Sequence, residues 1–474
     1  MSNGTPVQEI SAEQDKGRID PAVWKISAVV LLAPLMTSLD TTVVNVSLAT
    51  LSHELHTPLT TIQWVTSGYL LALTLTLPLS GWLVDRVGTK RVYLVCFAAF
   101  VLSSMLCGLA TSAEALIGFR VLQGMTGGLL APLAQMMIAR IAGRHVARVM
   151  GLVVMPVLIG PILGPVLAGA ILQSAGWRWI FFINLPIGIF AIILAQWLLP
   201  GDDLEAHPRA LDLKGLFLLS PGLVLLLHSL ENLSSNPNLR LLSELELLAS
   251  LGFLCAFIVH AVRSGRKSLI DVQLFRHPAF SSGAITQFLS NAASFGGAML
   301  TPLYLLTMQN ASPGSVGLLL APSGLGMLLS YPTMGWVTER FGPRAVSATG
   351  ALVALCGTLP FALYGASGLS VTLIGAALFV RGLGQGAIGI PSIASAYATI
   401  PKQNIPMATT ALNIVQRLGG PVATTLLAIF LHSRQLVSSS AHAFAATFWL
   451  LCVLQVLTVV SALCLPQRIT NRQN

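Results

Sequence analysis

The sequence predicts an all-α integral membrane protein of fourteen transmembrane helices, arranged as two six-helix bundles with two additional helices between them. Three observations carry this. Of 474 residues 54% are hydrophobic and only 9% are charged, where a soluble domain carries about 25% charged residues. The apolar residues fall in runs of roughly twenty, the length of helix that crosses a hydrocarbon core. Two short motifs in the first half of the chain also return, in the same order, in the second.

Apolar windows bounded by charges or by Pro, Gly and Asn fall at 24–50, 61–84, 91–111, 114–139, 147–173 and 178–199, and form an N-terminal bundle over 24–199. Two more, at 213–231 and 243–264, lie in a linking region over 200–278. The windows 279–308, 313–337, 344–365, 368–397, 406–431 and 442–465 form a C-terminal bundle over 279–467. Short tails, 1–23 and 468–474, complete the chain. Residues Met1 to Asp20 are polar and lack the apolar run and cleavage site of a signal peptide, so the first span is expected to stay in the protein.

Charge orients these spans. Assigning loops alternately to two sides places 20 of the 26 Lys and Arg on one side and only Arg178, Arg240 and Arg434 on the other. Lys and Arg collect on the cytoplasmic side of a membrane, so both termini are expected there. Topology thus accounts for the net charge of +9 without a nucleic-acid partner. The remaining three, Arg120, Arg381 and Arg417, fall at membrane depth, where each needs a partner or water. All six cysteines lie in apolar stretches with no pairing or metal-ligand spacing, which predicts free thiols.

The repeat is legible at two places. Gly81-Trp-Leu-Val-Asp85-Arg86-Val-Gly88 returns as Gly335-Trp-Val-Thr-Glu339-Arg340-Phe-Gly342, and Arg120-Val-Leu-Gln123-Gly124 returns as Arg381-Gly-Leu-Gly-Gln385-Gly386. Duplicated halves suit a carrier that rocks one bundle against the other around a midplane site.

With these residues in view, the chain resembles the major facilitator superfamily, and within it the fourteen-span drug:proton antiporters of the EmrB/QacA type. The resemblance covers nearly the whole chain. Gly81, Asp85, Arg86, Gly88, Lys90 and Arg91 match the superfamily's signature cytoplasmic loop, with Thr89 where an Arg is usual. The resemblance implies a latch that holds one state. The fifth span, with Gly151, Gly160, Gly164, Pro165 and Gly169, is similar to a motif of the superfamily's exporters, departing only at Ala168. Small residues at that spacing let another backbone approach closely, and prolines bend the span, which implies a hinge or seam between halves.

Leu39-Asp40-Thr41-Thr42-Val43-Val44-Asn45-Val46 is similar to the family's first-helix signature. Asp40 is the only carboxylate well inside a predicted span, and a carboxylate in low dielectric is costly when ionised. It is the candidate proton-coupling group, with Arg120, from a motif implicated in proton transfer, as its modulator. Polarity and the resemblance together nominate Asn45, Gln63, Gln123, Gln287 and Asn291 as cavity residues. A largely apolar cavity suits lipophilic neutral or cationic compounds.

No phosphate-binding Gly-x4-Gly-Lys-[Ser/Thr] loop occurs, so a gradient is the simplest energy source. The proton is the coupling ion, and no other cofactor is expected. His53 and His56 have only Glu54 beside them, too few ligands for a metal site. The short loops leave no domain for docking a partner, so a working monomer is expected, with an adaptor or outer-membrane partner left open; the resemblance implies the bacterial inner membrane. The function predicted is proton-coupled export of small lipophilic or cationic compounds. The alternatives are an exporter dedicated to one endogenous metabolite, lipid or siderophore, and an integral-membrane enzyme, which the lack of a clustered acid, His or Cys set disfavours.

Overall fold

The computed structural model describes residues 21–142, 145–202, 210–235, 240–309, 311 and 313–468. Lys16, Arg18, Arg144, Arg209 and Arg472 of the orienting set lie outside these residues, as does most of both predicted tails. Every described segment of regular structure is helical. In chain order the long helices are α1 (Pro21–Glu54), α2 (Leu59–Val87), α3 (Thr89–Gly108), α4 (Ala113–Ile141), α5 (Val146–Ser174) and α6 (Trp179–Leu198). After them come α7 (Leu213–Ser235), α8 (Arg240–Ser264), α9 (Pro278–Met308), α10 (Pro313–Phe341), α11 (Pro343–Tyr364), α12 (Val371–Ala398), α13 (Ile405–Gln435) and α14 (Ser440–Leu463). Turns interrupt α2 at Gln63 and α6 at Ile183.

Among the described residues twelve helices are long and apolar enough to cross a membrane. The two long helices outside that set, α5 and α9, span 29 and 31 residues and coincide with two of the windows read from the sequence. Prolines inside several helices, among them Pro34, Pro132 and Pro391, are tolerated where neighbouring helices and hydroxyl side chains satisfy the freed backbone.

The two bundles repeat one packing scheme. In the first, α1 packs on α4, α5 and α6, α2 packs on α4, and α3 packs on α4 and α6. In the second, α9 packs on α12, α13 and α14, α10 on α12, and α11 on α12 and α14. Between bundles α5 meets α10, and α13 meets α2 and α4.

The end of the molecule at which α1 begins and α14 ends is termed the base. Here the two halves touch. Ser80 and Thr410 share a hydrogen bond of 2.8 Å, Asn413 donates to Gln135 at 2.8 Å, and His145 pairs with Glu339 at 2.9 Å. Glycines make this closure tight. A Cβ on Gly81 would lie 3.3 Å from the Pro406 backbone, and one on Gly335 would overlap the Arg148 backbone. Helix α7 lies against both halves: Ser220 donates to the Leu75 carbonyl on α2, and Thr425 on α13 donates to the Leu230 carbonyl, each at 2.8 Å. Helix α8 packs chiefly on α7 and exposes most of its surface.

At the base Asp212 ties this pair together. Its carboxylate accepts the Gly215 N–H at 2.8 Å, the Leu269 N–H at 3.1 Å and the His260 ring nitrogen at 2.8 Å. Burial alone would raise its pKa, but these donors outweigh burial and hold the carboxyl below its ordinary value.

Candidate functional site

Asp40 sits midway along α1 and is 2% exposed. Among the described residues, every neighbour that reaches its carboxylate is a donor. Arg120 on α4 gives Nη1–H to Oδ2 at 2.6 Å, Asn184 on α6 gives its amide to Oδ1 at 2.7 Å, and Gln123 on α4 gives its amide to Oδ1 at 3.2 Å. The pair Asp40–Arg120 is wholly enclosed, with both side chains at 0% exposure. Arg120 is in turn anchored by the Val65 carbonyl at 3.1 Å and by Gln123 Oε1 at 2.6 Å. The Asn184 amide also donates to Ser104, whose hydroxyl donates to the Phe181 carbonyl.

Close approach of α2 and α4 makes this possible. A Cβ on Gly124 would overlap the Tyr69 backbone, so the glycine of the Arg120-x2-Gln123-Gly124 motif lets the helices close. The Tyr69 ring then lies 4.2 Å from the Arg120 guanidinium carbon, in cation–π contact. Arg120 Nη2 has no hydrogen-bond partner among the described residues. Enclosing two charges costs several kcal/mol per ion, and only close pairing with added hydrogen bonds offsets it.

The second half repeats the arginine without the acid. Arg381 on α12 donates to Thr301 Oγ1 at 3.2 Å and to the Ala293 carbonyl at 3.1 Å. Its guanidinium occupies the space a Cβ on Gly297 would need.

Between the bundles, toward the base, lies a cavity of about 270 Å³. Gln287 and Asn291, both nominated from sequence, line it, together with Gln135, Gln385 and Gln416, which sequence reasoning did not select. The other nominated amides are elsewhere. Gln123 belongs to the Asp40 cluster, Asn45 accepts a hydrogen bond from Thr66 at 2.9 Å near the far end of α1, and Gln63 is exposed at the turn within α2. Asn184 and Ser104 were missed as well. Asn184 lies in a stretch rich in aromatic residues, and its only signal was a lone amide among apolar residues.

The loop read as a latch, between α2 and α3, turns on Gly88 at φ +97°, and its counterpart Gly342 has φ +84°. Asp202, after α6, accepts the N–H groups of Lys90 at 2.8 Å and Arg91 at 3.0 Å and so caps α3. The Lys90 ammonium donates to the Gln196 and Leu199 carbonyls. Arg86 lies over the Trp82 ring, and Asp85 faces the small gap between this loop and Leu269. Arg140 donates to the hydroxyl of Thr89 at 2.9 Å. On α5, Gly160 and Gly164 abut Ser38 and Thr42 of α1, while Gly151 abuts the Tyr331 carbonyl of α10, 2.9 Å from where a Cβ would stand. Gly169 faces open space, and the Pro165 side chain lies outside the described residues.

The family model of the Major Facilitator Superfamily matches residues 30–424 and 283–474. The chain belongs to the Major Facilitator Superfamily. It is 33% identical over 420 residues to a multidrug resistance protein B homolog of Mycobacterium tuberculosis, covering 87% of this chain and 77% of that one. It is 29% identical over 456 residues to the putative multidrug resistance protein MdtD of Salmonella heidelberg, covering 93% and 94%. Among solved structures it is similar to the human organic anion transporter MFSD10, with a TM-score of 0.65 and 16% identity over 93% of this chain and all of that one. The proton:xylose symporter XylE matches with a TM-score of 0.63 and 17% identity over 92% and 94%. Neighbours with such different transport modes share the fold, so the fold alone does not set direction or substrate.

Proposed function

We propose that this protein is a proton-driven exporter of small lipophilic compounds, a multidrug efflux carrier working by alternating access. The observation that carries the reading is the enclosed Asp40–Arg120 pair. One carboxylate, held by a guanidinium and two amides, is a site that a proton can enter only when Arg120 lets go. Proton entry from outside, loss of the ion pair and rearrangement of α1 against α4 then form one step. Return of the proton to the cytoplasm restores the pair. Moving one proton charge through 100 mV supplies about 2.3 kcal/mol, enough to sustain a substrate gradient of nearly fifty-fold.

Export rather than uptake rests on α5. Its glycines stand against α1 on one side and α10 on the other, at the seam where the halves must slide. The two relatives carrying multidrug resistance names support the substrate class. The basic loops support a cytoplasmic base and cytoplasmic termini, and the bacterial relatives support an inner-membrane location. The contacts at the base then close the cytoplasmic side. The carrier works as a monomer and needs no cofactor beyond the proton.

The test is efflux of a fluorescent lipophilic dye, with and without an uncoupler, for wild type and Asp40→Asn. Uncoupler-sensitive efflux that the substitution abolishes supports the reading. Efflux that survives both treatments removes the coupling role of Asp40. Failure with every dye, while one endogenous compound is exported, assigns a dedicated exporter instead.

A further inference from the structure

The cavity between the bundles has two unlike walls. Among the described residues the N-terminal half contributes Pro34, Ala131, Ala134, Ile138 and Met150, with Gln135 as its one polar side chain. The C-terminal half supplies the amides of Gln287, Asn291, Gln385 and Gln416 and the Tyr331 hydroxyl. Two of these amides are fixed in place. Gln287 donates to the Gly389 carbonyl at 2.6 Å and to the Ser392 hydroxyl at 2.8 Å, and Asn291 donates to the Gln287 carbonyl at 3.0 Å. The others have bonding capacity to spare. Gln385 is 5% exposed and its amide nitrogen has no hydrogen-bond partner, and the side chains of Gln416 and Tyr331 make no hydrogen bond among the described residues. Buried polar groups are normally paired, so a molecule that supplies partners here is favoured by groups already in position. No acidic or basic side chain lines the cavity among the described residues, and Tyr331 is the only aromatic ring there. Asp40 offers no counter-charge, because its side chain is wholly enclosed and held by Arg120, Asn184 and Gln123. A cation moved from water into this space would lose its hydration and gain no carboxylate.

We propose that this cavity is the substrate site, and that its substrates are small uncharged molecules with one apolar face and one edge of hydroxyl, carbonyl or amide groups, in preference to lipophilic cations. This rests on the exporter reading and names its substrate class. The apolar face lies on the N-terminal wall, and Gln385, Gln416 and Tyr331 read the polar edge. An amide both donates and accepts, so this edge takes hydroxyls and carbonyls in several arrangements. At about 270 Å³ the cavity is close to the lower limit of about 300 Å³ for small-molecule sites, which keeps the substrate small.

The experiment uses the full chain in proteoliposomes with an imposed pH gradient and two radiolabelled probes. Chloramphenicol is uncharged, with an aromatic face, two hydroxyls and an amide; tetraphenylphosphonium is a lipophilic cation with no hydrogen-bonding group. Expected is uncoupler-sensitive transport of chloramphenicol, with kcat/KM at least tenfold above that of the cation. Gln416→Leu and Gln385→Leu should each raise KM for chloramphenicol roughly tenfold with kcat little changed, the loss of one hydrogen bond to a bound ligand. Gln416→Glu should lower chloramphenicol transport and raise that of tetraphenylphosphonium, a gain that misfolding cannot produce. Preference of wild type for the cation overturns the proposal while leaving the exporter standing. An unchanged KM for chloramphenicol in both leucine variants shows that the amides do not read the substrate, and overturns it too. Transport of neither probe by monodisperse wild type counts against the exporter reading and the proposal together.

Discussion

Gly81 and Gly335 occupy the same position in the two halves, and against each a helix of the opposite half presses. Gly81 receives α13 at Pro406 and Thr410, and Gly335 receives α5 at Ala147 and Arg148. A motif repeated in sequence is thus repeated as an inter-bundle contact, and the closed base is made of two equivalent copies of it.

Gly335→Leu should hold the base open. The obstructing atoms belong to the Arg148 and Ala147 backbone, so no rotamer change relieves the clash. Thiol labelling of a cysteine placed at Asn413 should accelerate in this variant, and transport should fall by at least tenfold. Unchanged labelling would show that the contact is not a gate.

Asp40→Asn leaves Arg120 enclosed without its counter-ion, which costs about 3–5 kcal/mol. The detergent-solubilised variant should unfold at lower temperature than wild type. Pairing it with Arg120→Gln should recover much of the stability and none of the uncoupler-sensitive transport. Recovery of both would make the ion pair a structural element alone.

Asp202→Ala removes the acceptor for two backbone N–H groups at the start of α3. A lost cap costs about 1 kcal/mol, seen as a modest fall in the thermal unfolding midpoint. Asp202→Asn, which keeps an acceptor, should lose less. Equal losses would shift the explanation from capping to the neighbouring positive charges.

Asp212 gives the protein a defined acid sensitivity. Its folded pKa is depressed, so its contribution is complete above the ordinary carboxylate value of about 4 and is lost as pH falls through the lower folded value. Proteolysis of the segment joining α8 to α9 should increase in that acid range for wild type. Asp212→Asn should cleave readily at neutral pH and change little on acidification.

The helices and the repeat were legible because membrane spans announce themselves by length and because Gly, Asp and Arg stand out against apolar residues. Asp40 and Arg120 were nominated for the same reason, though their meeting at 2.6 Å was not readable. Amides were harder. Gln123 and Gln135 lie on the same helix, α4, yet one binds Asp40 and the other lines the cavity. A helix that is apolar all round gives no periodic signal of which side faces the interior. Asn184 needed the fold, since α6 brings it to Asp40 from 144 residues away.

Helix α7 covers the junction of α2 with α13, and the equivalent junction of α5 with α10 has no such cover from α7 or α8. The pseudo-twofold of the bundles therefore does not extend to the surface that lipids see. A hydrophobic solute diffusing within a leaflet therefore meets two unlike junctions, one shuttered by α7 and one bare of it.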